Sequence, residues 1–124
     1  MVKTKTNEPE LVLGKHLVAE CETSNKKLLN DEKFIMKTLV EAAKHGGFTV
    51  LKAECYKFSP QGVTAIVLLS ESHISIHTWP EHNYAGLDIF TCGPKDPKKS
   101  LKYIQEKFKF TKTTLIEFNR GKDY

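Results

Sequence analysis

The chain predicts an α+β fold: a two-layer sandwich of a mainly antiparallel sheet with helices on one face. Three observations carry that prediction. Apolar and polar residues alternate along most of the chain, short turns join most of the alternating runs, and only two stretches keep helical spacing. At 124 residues, 40% hydrophobic and 27% charged, the chain suits one domain with one modest core. Residues 1–10 read as a polar arm and 11–124 as that domain.

The first strand spans Gly14 to Glu22, with Leu17, Ala19 and Cys21 on one side and His16, Val18 and Glu20 on the other. Asp31 is suited to cap a helix in which Phe34, Ile35, Leu39, Ala42 and Ala43 repeat at helical spacing until Gly46-Gly47 ends it. Phe48 to Phe58 forms the second strand, and the turn Ser59-Pro60-Gln61-Gly62 returns it as Val63 to Leu69. Ser70-Glu71-Ser72 interrupts the apolar run before His73 to Trp79. Pro80 to Asn83 is the next turn, Tyr84 to Cys92 a further strand, and Gly93-Pro94 its end. Pro97 to Phe108 repeats Leu101, Ile104 and Phe108 on one helical face, and Thr113 to Phe118 closes the sheet.

Composition excludes several classes of function. No run approaches the ~20 apolar residues of a membrane helix, and Met1 to Glu10 has none of the apolar character of a signal peptide. Cys21, Cys55 and Cys92 form no CxxC pair, so free thiols in a reducing cytoplasm are expected, with Cys21 and Cys55 as small buried hydrophobes. The net charge of +4 rests on scattered lysines and one arginine, Arg120, which is no surface for nucleic acid.

The fourth strand concentrates the chemistry. It sets Ile74 and Ile76 against the core and His73, Ser75, His77 and Trp79 on the other side, a face too aromatic for water and too polar for a core. His73 and His77 do not make a metal site, because four residues of strand separate them by about 13 Å. His73 reads as a strand histidine bonded to backbone. Ser72 lacks the flanking glycines of a hydrolase nucleophile elbow.

The run Ser70-Glu-Ser-His-Ile-Ser-Ile-His-Thr-Trp-Pro-Glu81, followed by Phe90-Thr-Cys-Gly93, resembles the bacterial and archaeal S-adenosylmethionine decarboxylase proenzymes. The resemblance extends through Gly14-Lys-His-Leu17, Phe58-Ser-Pro-Gln-Gly-Val-Thr64 and Arg120-Gly121, so it covers nearly all of the domain. It implies that the chain cuts itself between Glu71 and Ser72, leaving residues 1–71 and a second piece, 72–124, that begins with a pyruvoyl group made from Ser72. A serine hydroxyl can attack the carbonyl before it, and removal of the serine α-hydrogen then eliminates the resulting ester. The resemblance gives that α-hydrogen to His77 and a supporting role in processing to Thr64. The keto group condenses with the substrate amine and takes up the electron pair left by CO2, as PLP does elsewhere, so no added cofactor or metal is expected.

Cys92 matches the family's proton donor, and Phe58, Trp79 and Glu81 match its contacts to the adenine, the sulfonium and the ribose. The implied product is the aminopropyl donor of spermidine synthesis. The implied assembly is a homodimer paired sheet to sheet, with its active sites at the interface. Two other readings stay open on these residues: a pyruvoyl decarboxylase of ornithine or arginine, and a non-catalytic paralogue subunit.

Overall fold

The structure, a computed structural model, describes residues 8–122, so most of the arm expected over 1–10 lies outside the described residues. Its elements are β1 (Leu11–Glu22), α1 (Lys26–Leu29), α2 (Glu32–His45), β2 (Val50–Lys57), β3 (Val63–Leu69), β4 (Ser72–Trp79), β5 (Tyr84–Thr91), α3 (Pro97–Phe108) and β6 (Lys112–Lys122). A short 3-10 helix, Pro80–His82, replaces the simple turn expected before β5. The six strands form one sheet in the order β2-β3-β4-β5-β1-β6, and every neighbouring pair is antiparallel. The first strand therefore lies inside the sheet, between β5 and the last strand.

Helices α2 and α3 pack against each other, α2 over β2 and β3 and α3 beside β5 and β1. Asp31 caps α2 by accepting from the Phe34 amide at 3.0 Å, and Asp96 caps α3 from the Lys98 amide at 2.9 Å. The core between helices and sheet takes Ile35 and Leu39 from α2, Ile104 and Phe108 from α3, and the alternate residues Val63, Val67, Ile74, Ile76, Leu87 and Ile89 from the sheet. Two sequence expectations need correction. Cys55 is exposed, its Sγ 3.7 Å from Glu32, while Cys21 is buried as expected. His73 stands edge-on to the Phe90 ring, centroids 6.0 Å apart, and its side chain has no backbone partner among the described residues.

The opposite face of the sheet carries His73, Ser75, His77, Trp79, Asp88, Phe90, His16 and Phe118, placed together by the strand register. Arg120 lies over the Phe90 and Phe118 rings and donates to His16 Nδ1 at 3.1 Å. Arginine can only donate, so Nδ1 accepts, and the Nε2–H of His16 donates to Asp88 at 3.0 Å. Ile66, Leu68, Ile116 and Phe118 leave apolar surface exposed on the same face.

Candidate active site

The sequence-predicted residues fall into two groups at opposite ends of β4. At its start, the two-residue turn Ser70-Glu71 joins β3 to β4 and presents Ser72 at the first position of the strand. The Ser72 hydroxyl donates to the carbonyl oxygen of Glu71, the group that precedes it in the chain. Its Oγ also lies 3.5 Å from Cys92 Sγ. Cys92 follows the last residue of β5, and Gly93 behind it takes φ +86°, a conformation that lets the chain turn away and leaves the half-buried thiol at the rim. Ser72, Cys92, Glu71, Thr91 and Lys95 line a cavity of about 170 Å³. Thr91 is buried there, and its hydroxyl has no hydrogen-bond partner among the described residues.

At the far end of β4, His77 pairs across the strands with Thr64, and Thr64 Oγ1 sits 2.9 Å from His77 Nδ1. With Nδ1–H donating to the hydroxyl oxygen, Nε2 keeps the lone pair that a base needs. Phe58, Thr64, His77, Trp79 and Glu81 line a second cavity of about 480 Å³. Trp79 and Phe58 keep 42% and 48% of their surface exposed, enough to offer a ring face to a ligand. Five residues of extended chain separate Ser72 from His77, about 16 Å along the strand. Within one chain the structure joins Ser72 to Cys92 and His77 to Thr64, Trp79, Phe58 and Glu81, but it does not join the two groups.

Tyr84 and Glu20, which the sequence assigns only to strands, support the second group. Tyr84 stands opposite Trp79, their rings 5.4 Å apart, and its hydroxyl donates to Glu20 on β1 at 2.7 Å. Burial, reinforced by that carboxylate, pushes the Tyr84 phenol up to about 12. Gly86 leaves room for that hydroxyl, since a Cβ there would stand 3.0 Å from it, closer than an ordinary contact. A tyrosine two residues before a glycine in a strand beside a tryptophan-bearing strand was the available signal, but its meaning depends on register. Among the described residues no cluster of three metal-ligating side chains occurs, and no helix is long and apolar enough to cross a membrane.

Comparison with known proteins bears on the chemistry of this arrangement. The family described as S-adenosylmethionine decarboxylase matches residues 15–121. An S-adenosylmethionine decarboxylase proenzyme of Caldicellulosiruptor saccharolyticus is 46% identical over 110 residues, which cover 88% of this chain and 89% of that one. The proenzyme of the same description from Pyrococcus abyssi is 44% identical, over 88% of this chain and 79% of its own. The crystal structure of the adenosylmethionine decarboxylase from Aquifex aeolicus VF5 superposes with a TM-score of 0.84 at 33% identity, over 91% of this chain and 94% of that one.

Proposed function

The chain belongs to the S-adenosylmethionine decarboxylase family, and from that premise we infer an enzyme that cuts itself before Ser72 and then removes CO2 from S-adenosylmethionine. The observation that carries the reading is the Ser72 hydroxyl, next to the Glu71 carbonyl that precedes it in the chain and 3.5 Å from the Cys92 thiol. Attack by Oγ on that carbonyl moves the acyl group from nitrogen to oxygen. Removal of the Ser72 α-hydrogen then expels residues 1–71 as a carboxylate, and water converts the remaining enamine to a pyruvoyl group with loss of ammonia. Glu71 contributes the carbonyl that is attacked.

The residues at the turn fit such a group. The cavity is small, Cys92 is at its rim, and the Thr91 hydroxyl is unspent. A pyruvoyl group supplies an electrophilic carbonyl that accepts the substrate amine and the electrons released with CO2. Cys92, 3.5 Å from Ser72 Oγ, returns the proton to the substrate carbon. Phe58 and Trp79 offer aromatic faces to the adenine and the cationic sulfonium, and Glu81 offers a carboxylate to the ribose hydroxyls.

The distance between the two groups of residues favours a site shared between two chains. A homodimer that pairs the exposed sheet faces would turn the helix-backed sheet of each protomer into half of a larger sandwich. It would cover Ile66, Leu68, Ile116 and Phe118 and bring the His77 end of one chain to the Ser72 end of its partner. His77 then removes the α-hydrogen of the partner's Ser72. The catalytic domain is residues 11–124, cut once, and its free thiols suit the cytoplasm.

Intact-mass analysis of purified protein, combined with CO2 release from carboxyl-labelled substrates, tests the reading. The expected result is two pieces, 1–71 and 72–124, the second opening with a keto group, and turnover of S-adenosylmethionine. Ser72→Ala stays a single inactive chain. Release of CO2 from ornithine or arginine in place of S-adenosylmethionine would assign a different substrate, and an active unbroken wild-type chain would remove the mechanism.

A further inference from the structure

The Thr91 hydroxyl is hard to explain by folding. Thr91 is only 2% exposed, yet its Oγ1 has no hydrogen-bond partner among the described residues. An unsatisfied buried hydroxyl costs about 1–3 kcal/mol, and a valine would fill the same space without that cost. The neighbours point to a use. His73 and Phe90 form the last pair of the β4–β5 ladder, and Ser72 and Thr91 are the next residues on their strands, in alternation with the core residues Ile74 and Ile89. Thr91 also lines the cavity that holds Glu71, Ser72 and Cys92.

We propose that Thr91 is a processing residue whose hydroxyl donates a hydrogen bond to the Glu71 carbonyl oxygen while Ser72 attacks that carbonyl. In that step a C–O bond forms between Ser72 Oγ and the Glu71 carbonyl carbon, and the carbonyl electron pair moves onto its oxygen. When the carbonyl re-forms, the C–N bond to Ser72 breaks and the nitrogen takes up the proton given up by Oγ. Thr91 keeps its proton throughout. Its hydrogen bond is made only when negative charge develops on the oxygen, which is how an interaction absent from the ground state lowers a barrier. The precursor thus carries an unspent donor beside the one bond it must break.

The inference rests on the self-cleavage proposed above, and its test separates the two. Full-length wild type, Thr91→Val and Thr91→Ser are made by cell-free synthesis, and the appearance of piece 72–124 is followed by intact mass while melting temperature is recorded on each uncleaved Ser72→Ala background. Thr91→Val is expected to cut roughly a hundredfold more slowly, the loss typical of one oxyanion donor. Its melting temperature should equal or exceed that of the parent. Thr91→Ser, which keeps the hydroxyl, should cut within about fivefold of wild type even though it leaves a methyl-sized gap. A Thr91→Val chain that cuts as fast as wild type overturns the Thr91 assignment alone. So does one that cuts slowly and also melts earlier, or a Thr91→Ser chain as slow as the valine variant. A wild-type chain that is never cut overturns the self-cleavage and this inference with it.

Discussion

Cys21 and Cys92 show how position decides what one side chain can do. Cys21 is fully buried on β1, where burial pushes its thiol up to about 12 and leaves it as packing. Cys92 stands half-buried at the end of β5, with Ser72 Oγ 3.5 Å away. Iodoacetamide should therefore label Cys92 and the exposed Cys55 in the native protein and spare Cys21. Cys92→Ala should still cut before Ser72 but lose roughly 10²- to 10⁴-fold in turnover, the usual range for a lost general acid, as measured by CO2 release. Full activity in that variant would remove Cys92 from the role. Ser72 and His77 stand out in the sequence because they sit in one dense run, and Cys92 because of its Phe90-Thr-Cys-Gly93 setting. Thr91, Tyr84 and Glu20 were not, because each gains its meaning from a residue on the neighbouring strand, and one sequence does not state the register.

Elements with a single strong signal came out with the expected bounds: β3 over Val63–Leu69, and α3 over Pro97–Phe108 with a proline at its first turn. The departures have physical causes. Helix α1 is four residues long, too short to show a period. β1 reaches back to Leu11, beyond the expected start at Gly14, because a register shift between Val12 and Gly14 breaks the alternation there. β6 runs on to Lys122 because it follows β1 along its whole length. The tie between β5 and β1 from Tyr84 to Glu20 has a pH signature. The Tyr84 phenol titrates higher in the folded chain than its ordinary value of 10, so the stability it adds is complete below pH 10 and fades as pH rises toward about 12. Wild type and Tyr84→Phe should accordingly differ in urea midpoint at pH 8 and converge near pH 12. A gap that stays constant across that window would mean the hydroxyl contributes nothing through its proton.

In the whole molecule the two groups of site residues lie about 16 Å apart along β4, and the proposed site shared between two chains makes a sharp prediction. Ser72→Ala and His77→Ala chains should each remain uncut when made alone. Made together, they form mixed dimers in which one site has an intact Ser72 facing an intact His77. The His77→Ala chain should then be cut, in a yield that follows the mixed fraction, as read by intact mass. If no cut product forms on mixing, the two groups are not joined across the dimer. The location of the proposed cut has a separate consequence. Residues 1–71 hold β1, β2 and β3 while residues 72–124 hold β4, β5 and β6, and in the sheet these alternate, so the two pieces meet along three seams: β3 with β4, β5 with β1, and β1 with β6. A chain cut before Ser72 as proposed could not drift apart without undoing half the molecule, so its two pieces would hold together as a braid. Once it is melted, its halves must find each other again through solution, and the route by which the intact precursor folded is closed to them.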